Sequence, residues 1–241
     1  MKVLNAFRKK IYSQNGEDGV IKEIFNRLNI KSGWFCEFGA WDGKYGSNCY
    51  SLLFSGWKGL MIEGDSDRFG VLVKTASKHK DNLLIQNTFV QHQGCINTLD
   101  DCLSKTEIPD NFDLLSIDID SYDYHVWDSL EKYRPKVVII EIDSSVPPGS
   151  YFIYDGSGRL TSFDAMIELA SSKKYTLICH TGNLFFVTDE LFYKLNLNST
   201  VNPADLFVNE WINPNFFKVS FRKLKNLTFQ RLICKVQNFI H

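Results

Sequence analysis

The feature that most constrains this chain is a series of short apolar runs, each too brief for an ordinary helix and apolar on both faces. They are Trp34–Phe38, Leu60–Glu63, Leu83–Thr88, Leu114–Ile119 and Val137–Ile142. Runs of this kind suit strands buried on both sides, as in a parallel sheet covered by helices. Helical patterns lie between them. Asn48–Phe54 follows the first run, and a helix capped by Ser66 or Asp67 extends to about Lys78. Ile96–Leu103 and Tyr124–Lys132 follow later runs. The alternation predicts an α/β, doubly wound fold.

The pattern then changes. Ser162–Ser172 puts Phe163, Met166, Ile167 and Ala170 on one helical face. Thr176–Cys179 and Leu184–Thr188 follow as two strands joined through "HTGN". So short a turn cannot carry a crossover, so the pair is expected as an antiparallel hairpin closing a mostly parallel, seven-stranded sheet. Ahead of the sheet, "YSQNGEDGVIKEIFNRL" reads as a polar loop and an amphipathic helix with Val20, Ile21, Ile24, Phe25 and Leu28 as its stripe. Residues 1–188 are expected to form the core domain with this lead-in helix, and 189–241 a helical extension packed on it.

The charges nearly cancel, 27 basic against 28 acidic, which argues against a surface devoted to nucleic acid. No apolar stretch reaches the length of a membrane span, and the N-terminus carries no signal-peptide pattern. The six cysteines, Cys36, Cys49, Cys95, Cys102, Cys179 and Cys234, form no C-x-x-C pair and read as reduced thiols, so the chain is expected to be cytoplasmic.

Ligands of an open parallel sheet bind at the carboxyl ends of its strands. "FCEFGAWDG" supplies such an end, with Gly39 and Gly43 as sites of tight turning and close backbone approach to a ligand. The turn lacks the third glycine of a dinucleotide fingerprint and carries Glu37 and Asp42 where a pyrophosphate would lie. Acids there suit a cation, such as the ammonium and sulfonium of S-adenosylmethionine. "GLMIEGD" ends a run at Glu63, about 20 residues on, the spacing at which an acid takes ribose hydroxyls. The plainer alternative is a tight turn and an incidental surface acid.

"EFGAWDG", "GLMIEGD" and "LLSIDIDSYD", spread over roughly residues 13–188, resemble the FkbM-type methyltransferases and their relatives in surface-sugar biosynthesis. That resemblance implies a Rossmann-like class I methyltransferase fold, S-adenosylmethionine as cofactor, and transfer to a hydroxyl of a sugar, nucleotide sugar or similar polar metabolite in polysaccharide or capsule biosynthesis. It implies that Glu37 and Gly39 line the methionine part of the cofactor, Glu63 the ribose and Asn87 the adenine. It also implies that the "SQNGED" loop, with Gln14, folds over the cofactor; Asn48 and Asp118 are counted with the cofactor-binding residues. The chain departs from the family's commonest pattern at Asp120-Ser121, where an acid followed by Glu-Gly is usual.

Asp118 and Asp120 end one run, and Glu141 and Asp143 the next. Period two places each pair on one face, so neighbouring strands would gather up to four carboxylates. Like charges this close raise one another's pKa or need a cation. One reading is a divalent ion, Mg²⁺ by default, held by Asp118, Glu141 and Asp143 and lowering the pKa of the acceptor hydroxyl. The other is that Asp118 and Asp120 serve the cofactor amine and substrate hydroxyls directly, with Glu141 and Asp143 capping loops. Candidate general bases are Asp120, His125 and His180. His79, among lysines, reads as solvated. Tyr151, Phe152 and Tyr154, in "PPGSYFIYDGSGRLTS", either stack on a sugar or pack the loop down.

From Lys218 on there is no acid: Lys218, Arg222, Lys223, Lys225, Arg231 and Lys235 interleave with an apolar stripe. A terminal helix packed on the core, a homo-oligomer contact and docking on an anionic membrane surface are the three readings. Two other functions share the pattern: an oxidoreductase on a related fold, and a non-catalytic binding or assembly protein with a vestigial pocket. The acidic turn argues against the first, and the retained acids against the second.

Overall fold

A computed structural model of the chain describes residues 4–197 and 202–212. The basic stretch from Lys218 to Lys235, and Cys234, lie outside the described residues. Five parallel strands, β1 (Trp34–Phe38), β2 (Lys58–Glu63), β3 (Leu83–Asn87), β4 (Leu114–Ile117) and β5 (Val137–Glu141), are joined by the hairpin strands β6 (Tyr175–His180) and β7 (Asn183–Thr188). The sheet order is β3-β2-β1-β4-β5-β7-β6, with β7 antiparallel to both its neighbours. The helices are α1 (Glu17–Leu28), α2 (Ser66–Ala76), α3 (Leu99–Ser104), α4 (Asp123–Asp128), α5 (Phe163–Ser172) and the short α6 (Asp189–Phe192). None of the helices among the described residues is long and apolar enough to cross a membrane.

Strand periodicity sorts the apolar side chains into two cores. Cys36, Phe38, Leu115, Ile117, Val138 and Ile140 pack with Leu99, Trp127, Phe163 and Met166 of α3, α4 and α5. Phe35, Leu114, Val137 and Ile139 pack on the other face with Val20, Ile21, Ile24 and Phe25 of α1 and Leu72 of α2. The stripe expected of the lead-in helix is therefore the stripe that buries. Cys36, Cys49, Cys102 and Cys179 are buried, Cys95 is exposed, and all are free thiols.

Local chemistry moves several boundaries. α2 is capped ahead of both expected caps, one residue before Ser66, because the Asp65 carboxylate accepts from the amides of Asp67 and Arg68. Thr98 caps α3, leaving Ile96 exposed in the preceding loop. α4 ends at Asp128, four residues short of the expected Lys132: the amides of Glu131, Lys132 and Tyr133 turn to the Asp100 carboxylate instead of continuing the helix. Residues 48–54 give one 3₁₀ helix, Tyr50–Ser55. Beyond the sheet, the regular structure among the described residues is α6 and 3₁₀ turns at Tyr193–Leu195, Pro203–Leu206 and Asn209–Trp211. Phe207 and Trp211 of this segment cover His180 at the hairpin.

Candidate active site

Gly39 ends β1 with φ +75°, and a Cβ built there would overlap the carbonyl oxygen of Asp118. Its amide and that of Ala40 donate to Ile62 O at 3.1 and 3.2 Å. The exit of β4 thus already requires the glycine, before any ligand approaches the turn. Gly43 is also internal: its Cβ would overlap Leu72 of α2 and reach the Met61 sulfur. Between them Trp41, at φ +50°, stays 54% exposed with the Arg68 guanidinium 5.8 Å from its ring.

Glu63 fastens this turn to the next. Its Oε2 accepts from Trp41 N and its Oε1 from Asp65 N, both at 2.8 Å. Asn87 is exposed beside it, its side-chain amide donating to Glu63 O at 2.8 Å. Glu37 is only 4% exposed, and accepts from Asn48 N and the Ser47 hydroxyl. The Asn48 amide group in turn donates to Ser116 Oγ, the register partner of Glu37 across β1 and β4. Burial pushes the Glu37 carboxyl up to about 7, against these hydrogen bonds, which favour the charged form. The lead-in loop is fixed above this network. Asp18 accepts from the amides of Ile11, Tyr12 and Ser13, and Gly46 N donates to Tyr12 O at 3.0 Å, which sets the exposed Gln14 against Gly46.

The second group forms where β4 and β5 end. Ile117 pairs with Ile140, so one step further Asp118 lies beside Glu141, on the face that also carries Ser116 and Glu37. Asp120 joins them by another route. β4 stops at Ile117, two residues early, because the Asp123 carboxylate captures the amides of Ile119 and Ser121. That turn holds Asp120 at φ +55°. Carboxylate oxygens of Asp118, Asp120 and Glu141 lie within 4.8 Å of one another. Burial first, then neighbouring carboxylates, raises the pKa of Asp118 and, more strongly, of Glu141; burial lifts Asp123 to about 6. Glu141 Oε2 is buried without a hydrogen-bond partner.

Asp143 does not join the cluster. Its carboxylate caps Ser145 and pairs with Arg159 Nε at 3.2 Å, so the period-two placement fails once β5 ends at Glu141. Two acids that sequence reasoning passed over do bear on the site. Asp123 builds the Asp120 turn. Glu17, fully buried at the start of α1 and bonded to Thr181 Oγ1, acts on Asp118. Asp123 stood at the end of the quoted "LLSIDIDSYD"; Glu17 is brought in only by the packing of α1.

The histidines separate. His180 is fully buried, its Nδ1 accepting from Val208 N and its Nε2 bonded to Ser144 Oγ, both at 2.9 Å. Burial lowers its pKa to about 4. Both nitrogens are engaged in the fold, which removes His180 as a general base. His125 keeps one nitrogen for chemistry: Nε2 donates to Tyr154 O at 2.9 Å, which leaves Nδ1 as the acceptor. His79 is not simply solvated, since it bonds Tyr50 and packs edge-on against Phe54. On the loop after β5, Phe152 lies under Arg159 at 4.0 Å, and Tyr154 meets Tyr122 edge-on at 4.9 Å. Grooves of about 610 and 560 Å³ lie elsewhere, one between α5 and residues 202–204 and one at the amino ends of β1 and β2.

No protein-family model matches the chain, and no curated protein matches it in sequence. Solved structures with a related backbone include a putative O-methyltransferase from Klebsiella pneumoniae, 18% identical over 76% of this chain and 84% of that one, with a TM-score of 0.47. TrmK of M. capricolum, solved with S-adenosyl-homocysteine, is 12% identical over 85% and 84% at a TM-score of 0.47. WbdD is 16% identical over 77% of this chain but only 40% of its own, at 0.48. Likenesses this distant carry no chemistry. The architecture stands on the strand order itself: five parallel strands with β7 turned antiparallel between β5 and β6 make the class I methyltransferase fold.

Proposed function

We propose that this chain is an S-adenosylmethionine-dependent O-methyltransferase acting on a hydroxyl of a sugar or similar polar metabolite. The observation that carries the reading is the division of the carboxyl edge into two acidic stations. Glu63 and Glu37 stand at the ends of β2 and β1. Asp118, Asp120 and Glu141 converge at the ends of β4 and β5. A cofactor with two cationic groups and a ribose diol suits the first station, which has no glycine fingerprint for a pyrophosphate. The buried Glu37 carboxyl, raised to about 7, gains from a nearby positive charge. Glu63 would accept from the ribose, Asn87 would meet the base, and Gln14 would close over the top. When bound, the cofactor supplies an activated methyl group.

The chain's own task is then to place a hydroxyl and take its proton. Asp120, on the strained turn, and His125 Nδ1 are the groups placed for that. Asp118, Asp120 and Glu141 also fit a hard divalent cation such as Mg²⁺, since their oxygens cluster and Glu141 Oε2 has no donor. Such an ion would lower the pKa of the acceptor hydroxyl. Asp143 is left out of that set, being paired with Arg159. Titration calorimetry with S-adenosyl-homocysteine and with NADH tests the cofactor: binding of the first alone supports the reading, and preference for NADH would restore the oxidoreductase. Formation of S-adenosyl-homocysteine on a panel of saccharides tests the acceptor, and loss of turnover on chelation tests the ion.

A further inference from the structure

Three loops meet beside the β4–β5 acids, and rings hold them together. His92, after β3, stacks on Tyr122 with centroids 4.7 Å apart and planes 14° from parallel. Tyr154, after β5, meets Tyr122 edge-on, and His125 of α4 lies 5.1 Å from His92 while donating to the Tyr154 carbonyl. Tyr122 itself follows Asp120 by two residues, on the turn that the Asp123 carboxylate fixes. Buttressed from three sides, it still leaves 38% of its surface open. It is therefore a rigid aromatic wall at a set distance from the acids, able to pack the apolar face of a ring whose hydroxyls point to carboxylates.

The charges around that wall are predominantly of one sign. The groups that act on Asp118 and Glu141 are carboxylates. Residues 88–98, 118–122 and 142–162, the loops that follow β3, β4 and β5, contain a single Lys or Arg, Arg159. Arg159 is held by Asp143 and lies over Phe152. Phosphate recognition uses Arg forks, Lys or open backbone amides, and here the amides of Ile119 and Ser121 are already taken by Asp123. One divalent ion among Asp118, Asp120 and Glu141, with Asp123 beside them, would not reverse the balance.

We infer that the acceptor is an unphosphorylated saccharide ring, free or glycosidically linked, packed on Tyr122, and not a nucleotide sugar or sugar phosphate. The inference rests on the sugar reading above and narrows it. It also places the reaction. If the sugar is built as an activated phosphate, a glycosyl transfer or phosphate-ester cleavage must precede methylation.

The test measures S-adenosyl-homocysteine formation on methyl glycosides of common hexoses, 6-deoxyhexoses and amino sugars. The matching sugar 1-phosphates and uridine diphosphate sugars run alongside, with and without Mg²⁺. The expected result is a kcat/KM at least tenfold higher for the glycoside than for either phosphorylated form of the same sugar. A phosphorylated form that is as good or better overturns the inference while the sugar reading stands. No turnover of any saccharide in any form defeats the sugar reading and the inference with it. Tyr122→Ala should raise KM for the best glycoside at least tenfold, with kcat and S-adenosyl-homocysteine affinity within about twofold. An unchanged KM removes Tyr122 from the acceptor site.

Discussion

At the scale of single residues, the acids and glycines of the carboxyl edge are structural before they are anything else. Both oxygens of Glu63 hold backbone amides, from Trp41 and Asp65. Glu63→Ala should therefore act twice. Loss of a charged acceptor for the ribose is worth on the order of 1.5–3 kcal/mol, or roughly tenfold or more in Kd for S-adenosyl-homocysteine. Two orphaned amides should also lower the melting temperature. Calorimetry on the folded fraction separates the effects, and unchanged affinity there would end the ribose role. Gly39 gives a sharper case. Any side chain meets the Asp118 carbonyl, at a positive φ that itself costs about 1–3 kcal/mol. Gly39→Val should lose stability and displace Asp118 together. A variant that melts like the parent and loses only cofactor affinity would return the glycine to the ligand.

Among elements, the sheet was the legible part. Five doubly apolar runs and one turn too short for a crossover dictate the strand order's parallel and antiparallel portions. What stayed hidden was side-chain capture of backbone. Asp123 takes the amides that would have extended β4, Asp100 those that would have extended α4, and Arg159 draws Asp143 away from Asp118. Such captures depend on residues brought together by folding, so periodicity does not report them. The same holds for His180, whose place at a strand end suggested chemistry but whose nitrogens serve Val208 and Ser144. His180→Ala should leave an unpaired buried amide and a cavity between Phe207 and Trp211, a cost of about 2–4 kcal/mol. The pH profile of turnover, measured well below the melting temperature, should not shift; a lost limb would make it the base after all. Asp143→Asn should likewise leave any response to Mg²⁺ intact, whereas Asp120→Asn should weaken it. Equal losses in the two variants would put Asp143 back among the ligands.

For the molecule as a whole, the buried acids and the buried histidine oppose each other, and the sign of each can be worked out. Glu37 at about 7 and Asp123 at about 6 hold protons in the folded state that the unfolded chain, near 4.5 and 3.8, has already released. Stability therefore falls as pH rises from the ordinary carboxylate range through 6 and 7, and the raised Asp118 and Glu141 carry the decline further. His180 works the other way. Its folded pKa of about 4 lies below the ordinary 6.5, so its contribution is present above 6.5 and is lost as pH falls towards 4. The ligand-free protein should lose stability from the ordinary carboxylate range upward, four raised carboxyls outweighing one histidine, and should melt several degrees lower at pH 8.5 than at pH 6, since a change of about 1 kcal/mol moves Tm by roughly 2–4 °C in a chain of this size. Glu37→Gln should flatten that fall between about pH 4.5 and 7, and His180→Asn should steepen it between about pH 4 and 6.5. A cation at this cluster must displace the protons that burial keeps on Asp118 and Glu141, and fewer of these remain at pH 8.5 than at pH 6. Mg²⁺ should then raise Tm more at pH 8.5 than at pH 6, by mass action on the folded state alone. Scanning calorimetry at the two pH values decides it. A melting temperature that climbs from pH 6 to 8.5 would mean the acids are solvated or paired in solution, and an equal Mg²⁺ effect at both would place the ion elsewhere.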